Sequence, residues 1–82
     1  MLYITTSGAK DIADNLDAIF IQVNAALTGT ITVAAGGTTF AVITNPTVGS
    51  QFKYGNLRGR GKVTVNPSTT CDITVTNLFD VR

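Results

Sequence analysis

The segment from Ser7 to Thr28 constrains the fold of this 82-residue chain more than any other stretch. Its apolar residues recur at alternating spacings of three and four, as they do along one face of a helix: Ala9, Ile12, Leu16, Ile19, Val23 and Ala26. Phe20 and Leu27 add a second apolar stripe, and Ile21 falls on the face that a monomeric surface helix normally keeps polar. One stripe is enough to pack on a sheet, so the second predicts contact with another subunit.

Signals at both ends of this segment are those of a long helix. Ser7 suits the N-cap position, and Gly29 suits the C′ position that follows the last helical residue. Leu16 at an a position with Ile12 and Ile19 at d favours three or four helices over two. We therefore predict a homotrimer. Its interface is expected at Ile12, Leu16, Ile19, Phe20 and Val23.

Composition also favours self-association. A chain of this length buries only about 60–65% of the surface that its unfolded form exposes, so its core is marginal. Small domains compensate with disulfides, metals or oligomerisation, and one cysteine with no histidine leaves the third route. The charged fraction is 13%, with no glutamate, against about 25% in an ordinary soluble domain. A subunit packed against others needs less surface charge than a freely diffusing protein.

Outside the predicted helix, apolar residues alternate with a period of two, as in strands. Leu2 and Ile4 predict a short first strand, and Gly36-Gly37 predicts a tight turn. The later extended segments begin at Thr30 and continue over Thr38–Thr44, Thr47–Tyr54, Lys62–Asn66 and Thr70–Asn77. The predicted fold class is α+β, in one domain over 1–82: a short N-terminal strand, one long helix, then an antiparallel β-meander of five to six short strands.

Cys71 is the only cysteine in the sequence, and so the one candidate for a nucleophilic or redox-active thiol. It lies in an alternating run that puts it on the same strand face as Ile73 and Val75. A catalytic thiol needs a base or a second cysteine, and the chain has neither a histidine nor another cysteine. We therefore predict that Cys71 is a small, inert residue of the core.

The five aspartates do not form the paired carboxylates that acid–base catalysis uses. Asp11, Asp14 and Asp17 face away from the apolar seam of the predicted helix, near its N-terminal end, where the helix dipole favours negative charge. Asp72 and Asp80 are well separated in sequence and in strand phase. These patterns predict that the protein is not an enzyme and has no cofactor and no metal site.

Four of the six cations lie within ten residues around a glycine-rich loop. The predicted partner-binding residues are Lys53, Tyr54, Arg58, Arg60 and Lys62, with Phe52 beside them. The loop is not a phosphate-binding P-loop, because Val63 follows Lys62 where that motif needs serine or threonine, and no helix follows. Three interpretations stay open: a solvated loop, a contact with an acidic protein surface, and nucleic-acid binding with Phe52 or Tyr54 stacking on bases.

Nothing at the start of the sequence resembles a secretory signal, which needs a basic region followed by an apolar one. The longest apolar run, Ala18 to Val23, is interrupted by Gln22 and is far shorter than the ~20 residues of a membrane span. We expect a protein that is made in a cytoplasm and has no contact with membranes.

The segments LTGTITVAAGGTTFAVITNPTVGS (27–50) and KVTVNPSTTCDITVTNLF (62–79), in a small chain without glutamate, resemble small virion proteins of tailed bacteriophages. Capsid decoration (cement) proteins and fibre-associated modules are the most similar kinds. The resemblance implies a non-enzymatic role in the virion, commonly as a homotrimer that reinforces a lattice of major capsid protein. The folds of these proteins vary widely, so no site residue is carried over.

The sequence thus predicts a homo-oligomeric capsid decoration protein located in the virion, with a major capsid protein or another virion protein as partner. The alternative is a binding module. Its ligand would be single-stranded nucleic acid or a host glycan, bound through the basic loop from Lys53 to Lys62 or, for a glycan, through Tyr3, Tyr54 and the asparagine-rich turns.

Overall fold

The computed structural model describes residues 2–14, 17–57 and 59–78, and all the regular structure in these ranges is β-strand. The eight strands are β1 (Leu2–Ile4), β2 (Lys10–Asp14), β3 (Ala18–Val23), β4 (Thr30–Ala35), β5 (Thr38–Thr44), β6 (Gln51–Tyr54), β7 (Lys62–Pro67) and β8 (Ile73–Leu78). The described ranges contain no helix, and hence none long and apolar enough to cross a membrane.

The strands form two antiparallel sheets of four strands each. Sheet A has the order β1-β8-β3-β6, and sheet B has the order β2-β7-β4-β5. Among these eight strands, β4 and β5 are the only successive pair within one sheet, because every other connection passes from one sheet to the other. This is the strand order of a jelly roll, a two-sheet architecture of two Greek keys. The predicted meander is wrong, since a meander joins neighbouring strands by successive hairpins.

Alternation along the strands places one side chain of every two in a core between the sheets. The fully buried residues of sheet A are Ile19, Ile21, Val23, Ile73 and Val75, and those of sheet B are Ile31, Val33, Val63, Val65 and Pro67. Leu27 and Leu57 add to this core from loops. Most of these side chains are β-branched, which suits a pleated surface, and each contributes about 1.5–3 kcal/mol by its burial.

The predicted helix over Ser7–Thr28 is wrong, and with it the α+β fold class, because the chain is all-β. The segment contains β2 and β3 and the loops around them. β3 lies between β8 and β6, where Ile21 is in register with Val75 on one side and with Phe52 on the other. Pairing on both edges makes β3 a central strand of sheet A.

A spacing of four residues caused the error, because it fits a helix and a strand equally well. Ile19 and Val23 share a face in either structure, but Ile21 joins them only in a strand. Ile21 is the residue that the helix could not accommodate, and in the structure it is completely buried. Helix capping signals are weak preferences, and pairing with two neighbouring strands outweighs them.

The predicted tight turn at Gly36-Gly37 is confirmed, and it joins β4 to β5. The two glycines have φ angles of 58° and 83°, the left-handed values that a type I′ hairpin turn requires at both central positions. Glycine adopts these values without steric penalty, which explains why this hairpin is recognisable in the sequence.

Candidate functional surfaces

The residues of the predicted basic loop from Lys53 to Lys62 are distributed over both sheets. β6 belongs to sheet A and β7 to sheet B, so the loop between them crosses the sandwich instead of closing a hairpin. Lys53 is in register with Phe20 and is exposed on the outer face of sheet A. Lys62 is exposed on the outer face of sheet B, where its Nζ lies 3.6 Å from Oδ2 of Asp11. Arg60 is exposed in the loop, and Arg58 lies outside the described residues.

Tyr54 does not join the cations, because its side chain points toward the core. Its ring meets that of Phe40 edge to face, with the centroids 5.7 Å apart and the planes at 76°. Partial burial raises the pKa of the Tyr54 hydroxyl above its ordinary value. Phe52 also packs against the core. Both aromatic rings predicted to stack on a ligand therefore pack toward the core, and the Tyr54 ring contacts the opposite sheet through Phe40.

The predicted oligomer interface is also divided between the core and the surface. Ile19 and Val23 are completely buried in their own chain, so they have no surface to offer to a second subunit. Ile12 packs partly against the same core from β2. Phe20 points outward from sheet A, where it is half-buried between Thr76 and Lys53. Leu16 lies outside the described residues.

One half of sheet B carries no charged residue. The sequence has no charged residue between Asp17 and Lys53, and this stretch forms β3, β4 and β5. In sheet B, Lys10, Asp11 and Asp14 lie on β2 and Lys62 lies on β7, at the opposite side from β5. The β4–β5 half of sheet B is therefore an uncharged surface of threonine, alanine and valine, which we call the uncharged half of sheet B (30–35 and 38–44).

Four side chains form a polar network at one end of sheet A. Nδ2 of Asn24 donates hydrogen bonds to Oδ1 of Asp72 at 3.2 Å and to Oγ1 of Thr74 at 2.9 Å. A side-chain hydrogen bond between Tyr3 and Asp72 raises the pKa of the Tyr3 hydroxyl. Sequence reasoning missed this network because it placed Asn24 in a helix, and no local signal joins residues so far apart along the chain.

Backbone hydrogen bonds connect the four loops at the same end of the sandwich. Asn24 N donates to Asp72 O, Leu27 N to Pro46 O and Cys71 N to Thr5 O, each at 2.8–3.1 Å. Each bond joins two different loops. The four loops therefore form one hydrogen-bonded cluster at this end of the sandwich.

Cys71 lies in the core, as predicted. Its side chain is 9% exposed, and its Sγ is 3.5 Å from the carbonyl oxygen of Ile4. Burial raises the pKa of the thiol, and the nearby charge of Lys10 opposes this only in part. Because the thiolate is the reactive form, a raised pKa makes the folded thiol a poor nucleophile.

We expect Cys71→Ala to lower the free energy of unfolding by roughly 1–2 kcal/mol, because one small buried group is lost. Urea denaturation followed by circular dichroism measures this change. The native wild-type thiol should react with an aromatic disulfide reagent much more slowly than the urea-unfolded chain. Equal rates in the folded and unfolded states would contradict the buried position.

The pH dependence of the same variant gives a second measurement. The unfolded chain loses the thiol proton at the ordinary pKa, whereas the folded chain holds it to higher pH, since its pKa is raised. Wild-type stability should therefore fall relative to Cys71→Ala as the pH rises above the ordinary thiol pKa. Below that pH the difference between the two proteins should be constant.

Within residues 2–14, 17–57 and 59–78, no three side chains of histidine, cysteine, aspartate or glutamate are grouped so that they could hold a metal ion. The surfaces described above are thus distinguished by charge and packing.

No protein-family model, curated protein or solved structure matches this chain.

Proposed function

We propose that this protein is a non-enzymatic structural component of a virion that self-associates and decorates a lattice of major capsid protein. The observation that carries the proposal is the uncharged half of sheet B: the stretch between Asp17 and Lys53 has no charged residue, and it supplies the neighbouring strands β4 and β5. The core of a protein–protein interface is depleted in charged residues, so an outer sheet surface without charge is well suited to being covered by another protein.

The fold supports this proposal by analogy. Jelly rolls occur in viral capsid and lectin domains, so the architecture is compatible with a role in a virion. A fold alone does not establish a function, and the argument therefore rests on the surface. The hydrogen bonds that connect the four loops at one end of the sandwich also suit a component that must hold a fixed shape.

Two parts of the sequence-based hypothesis are not carried into this proposal. The homotrimer was inferred from helical a and d positions, and the segment that contains them is not a helix. Binding of nucleic acid or glycan through one basic loop needs the cations on one surface, whereas Lys53 and Lys62 face outward from opposite sheets. Self-association and contact with a capsid protein remain.

The test is coexpression of this chain with the major capsid protein of the same genome, followed by sedimentation of the assembled particles in a sucrose gradient. We expect the chain to sediment with the particles in a fixed ratio. The proposed contact surface is the uncharged half of sheet B. We therefore expect this ratio to be unchanged between 50 mM and 500 mM salt, conditions that screen exposed charge pairs very differently.

A matched variant shows whether the capsid protein is bound by the uncharged half of sheet B or by the basic residues. Lys53→Glu reverses an exposed charge on the outer face of sheet A and should leave the amount of bound protein unchanged. A chain that stays at the top of the gradient with particles present contradicts the proposal. Binding that is lost in high salt or in Lys53→Glu assigns the contact to the cations instead.

A further inference from the structure

We infer that the outer edge of β5 pairs with β5 of a second copy of this chain, around a two-fold axis perpendicular to sheet B. This inference rests on the self-association in the proposed function and names the surface that produces it. Antiparallel pairing of the two edges would join both copies of sheet B into one continuous sheet of about eight strands, which is within the usual range.

A comparison of the four sheet edges singles out β5. An edge strand presents unpaired N–H and C=O groups that can pair with another chain, and proteins protect such edges by making them short or charged. β1 has three residues, β2 carries Lys10, Asp11 and Asp14, and β6 has four residues including Lys53. β5 has seven residues, Thr38–Thr44, with no charge and no proline. Among the described residues, no strand pairs with its outer edge.

The absence of charge at this edge specifically suits a second copy. Two-fold pairing brings each residue near the axis opposite itself or a close neighbour, so any charge there would face a like charge. Like charges directly opposite each other destabilise a strand pair, whereas pairs of β-branched residues stabilise it. An edge selected to bind a different, charged partner would have no such restriction.

The exposed side chain of Val42 indicates the register. Val42 points outward from sheet B, opposite Thr32, and is 56% exposed. With the axis at Val42, the two copies of this residue lie directly across from each other, and Ala41 pairs with Ile43 of the second copy. Cβ atoms of directly opposed residues are about 4.5–5.5 Å apart, close enough for the two valines to cover each other.

The bulge in β5 limits the length of the pairing and leaves this register intact. The register between β4 and β5 shifts between Val33 and Ala34, which leaves Phe40 as the extra residue. A bulge bends and twists an edge strand, so it prevents pairing with a second copy near Phe40. From Ala41 to Thr44 the pairing with β4 is regular, and the axis at Val42 lies within this part.

Val42→Lys tests the inference by placing two ammonium groups at the axis. The side chain is already exposed, so the monomer should fold as the wild type does. Unfavourable juxtaposition of like charges costs several kcal/mol, and we expect the dissociation constant of the dimer to rise at least about 100-fold. Analytical ultracentrifugation over a range of concentrations measures this constant, and circular dichroism verifies the fold.

Val48→Lys is the matched control. Val48 is 65% exposed, comparable to Val42, but it lies in the loop between β5 and β6 and is not part of the edge strand. It adds the same charge to the same chain and should leave the dissociation constant within about twofold of the wild type. Equal weakening by both substitutions would show a general charge effect and overturn the inference.

Cross-linking provides a second measurement that does not depend on weakening the dimer. Val42→Cys puts two thiols across the axis, at Cα distances compatible with a disulfide. Under mild oxidation it should form a covalent dimer at least about ten times faster than Val48→Cys, while the buried Cys71 should not contribute. Similar rates for the two variants would contradict pairing at this axis.

The outcomes distinguish this inference from the proposed function. A wild-type dimer that Val42→Lys dissociates supports the inference. A trimer, or a dimer that Val42→Lys leaves unchanged, overturns the pairing of β5 but leaves self-association and capsid decoration standing. A wild-type chain that is monomeric at all concentrations overturns both the pairing and the proposed self-association, while capsid binding can still be measured separately.

Discussion

Ile21→Asp should remove most or all of the stability of the folded chain. Ile21 is completely buried between Val75 and Phe52 in register, and no polar side chain is in register with it to pair with a carboxylate. An unpaired buried charge and the loss of a buried isoleucine together cost at least about 4 kcal/mol. At about 0.05–0.15 kcal/mol per residue, a domain of this size has a total stability of about 4–12 kcal/mol. Loss of the β-sheet circular dichroism signal measures this outcome.

Gln22→Asp is the control for Ile21→Asp, because it introduces the same group at the next residue of β3. Gln22 is exposed on the outer face of sheet A, so the new carboxylate stays in water and the stability should change by less than about 0.5 kcal/mol. If β3 were part of the predicted helix, Ile21 would lie on its polar face and Ile21→Asp would be mild. An Ile21→Asp protein as stable as Gln22→Asp would therefore contradict the strand.

Gly36→Ala should lower the free energy of unfolding by at least about 3 kcal/mol, which is more than a left-handed backbone alone explains. A Cβ atom at this position would overlap the backbone carbonyl oxygen of Arg60. Gly36 N also donates a hydrogen bond to Lys62 O at 2.9 Å, so the turn cannot move away without breaking it. Urea denaturation gives the change in free energy.

Gly37→Ala isolates the contribution of the backbone angle. Gly37 also has a positive φ, but outside Gly37 itself and its two neighbours in the chain no atom lies within 4 Å of the position that its Cβ would take. We expect a loss of about 1–2 kcal/mol, the ordinary penalty of a left-handed alanine. Equal losses for the two variants would show that the loop around Arg60 yields to the methyl group, and the close contact at Gly36 would then be unimportant.

The later strands are the part of the fold that the sequence predicts well, because their signals are local. Alternation of Ile31 and Val33 with threonines, followed by two glycines, specifies a strand and a tight turn within a few residues. The same kind of alternation predicted that Cys71 is buried with Ile73 and Val75, and this is confirmed, although Cys71 lies in the loop just before β8 and not in the strand. These conclusions need no information from the rest of the chain.

The segment before residue 30 is decided by tertiary structure. Its spacing pattern is compatible with a helix and with a strand, and only the partners distinguish them. Val75 and Phe52, which are in register with Ile21, are more than thirty residues further along the chain. Their pairing stabilises β3, and no pattern confined to residues 7–28 contains that information.

Surfaces depend on tertiary structure even more strongly than strands do. The sequence determined that the cations are clustered along the chain and that the middle of the chain is uncharged. The crossing of the loop between β6 and β7 from sheet A to sheet B then placed Lys53 and Lys62 on different outer faces. The order of strands in sheet B placed the uncharged β5 at an edge. Composition sets which side chains are available, whereas strand order decides which of them share a face, because in a jelly roll neighbours in sequence rarely lie in the same sheet.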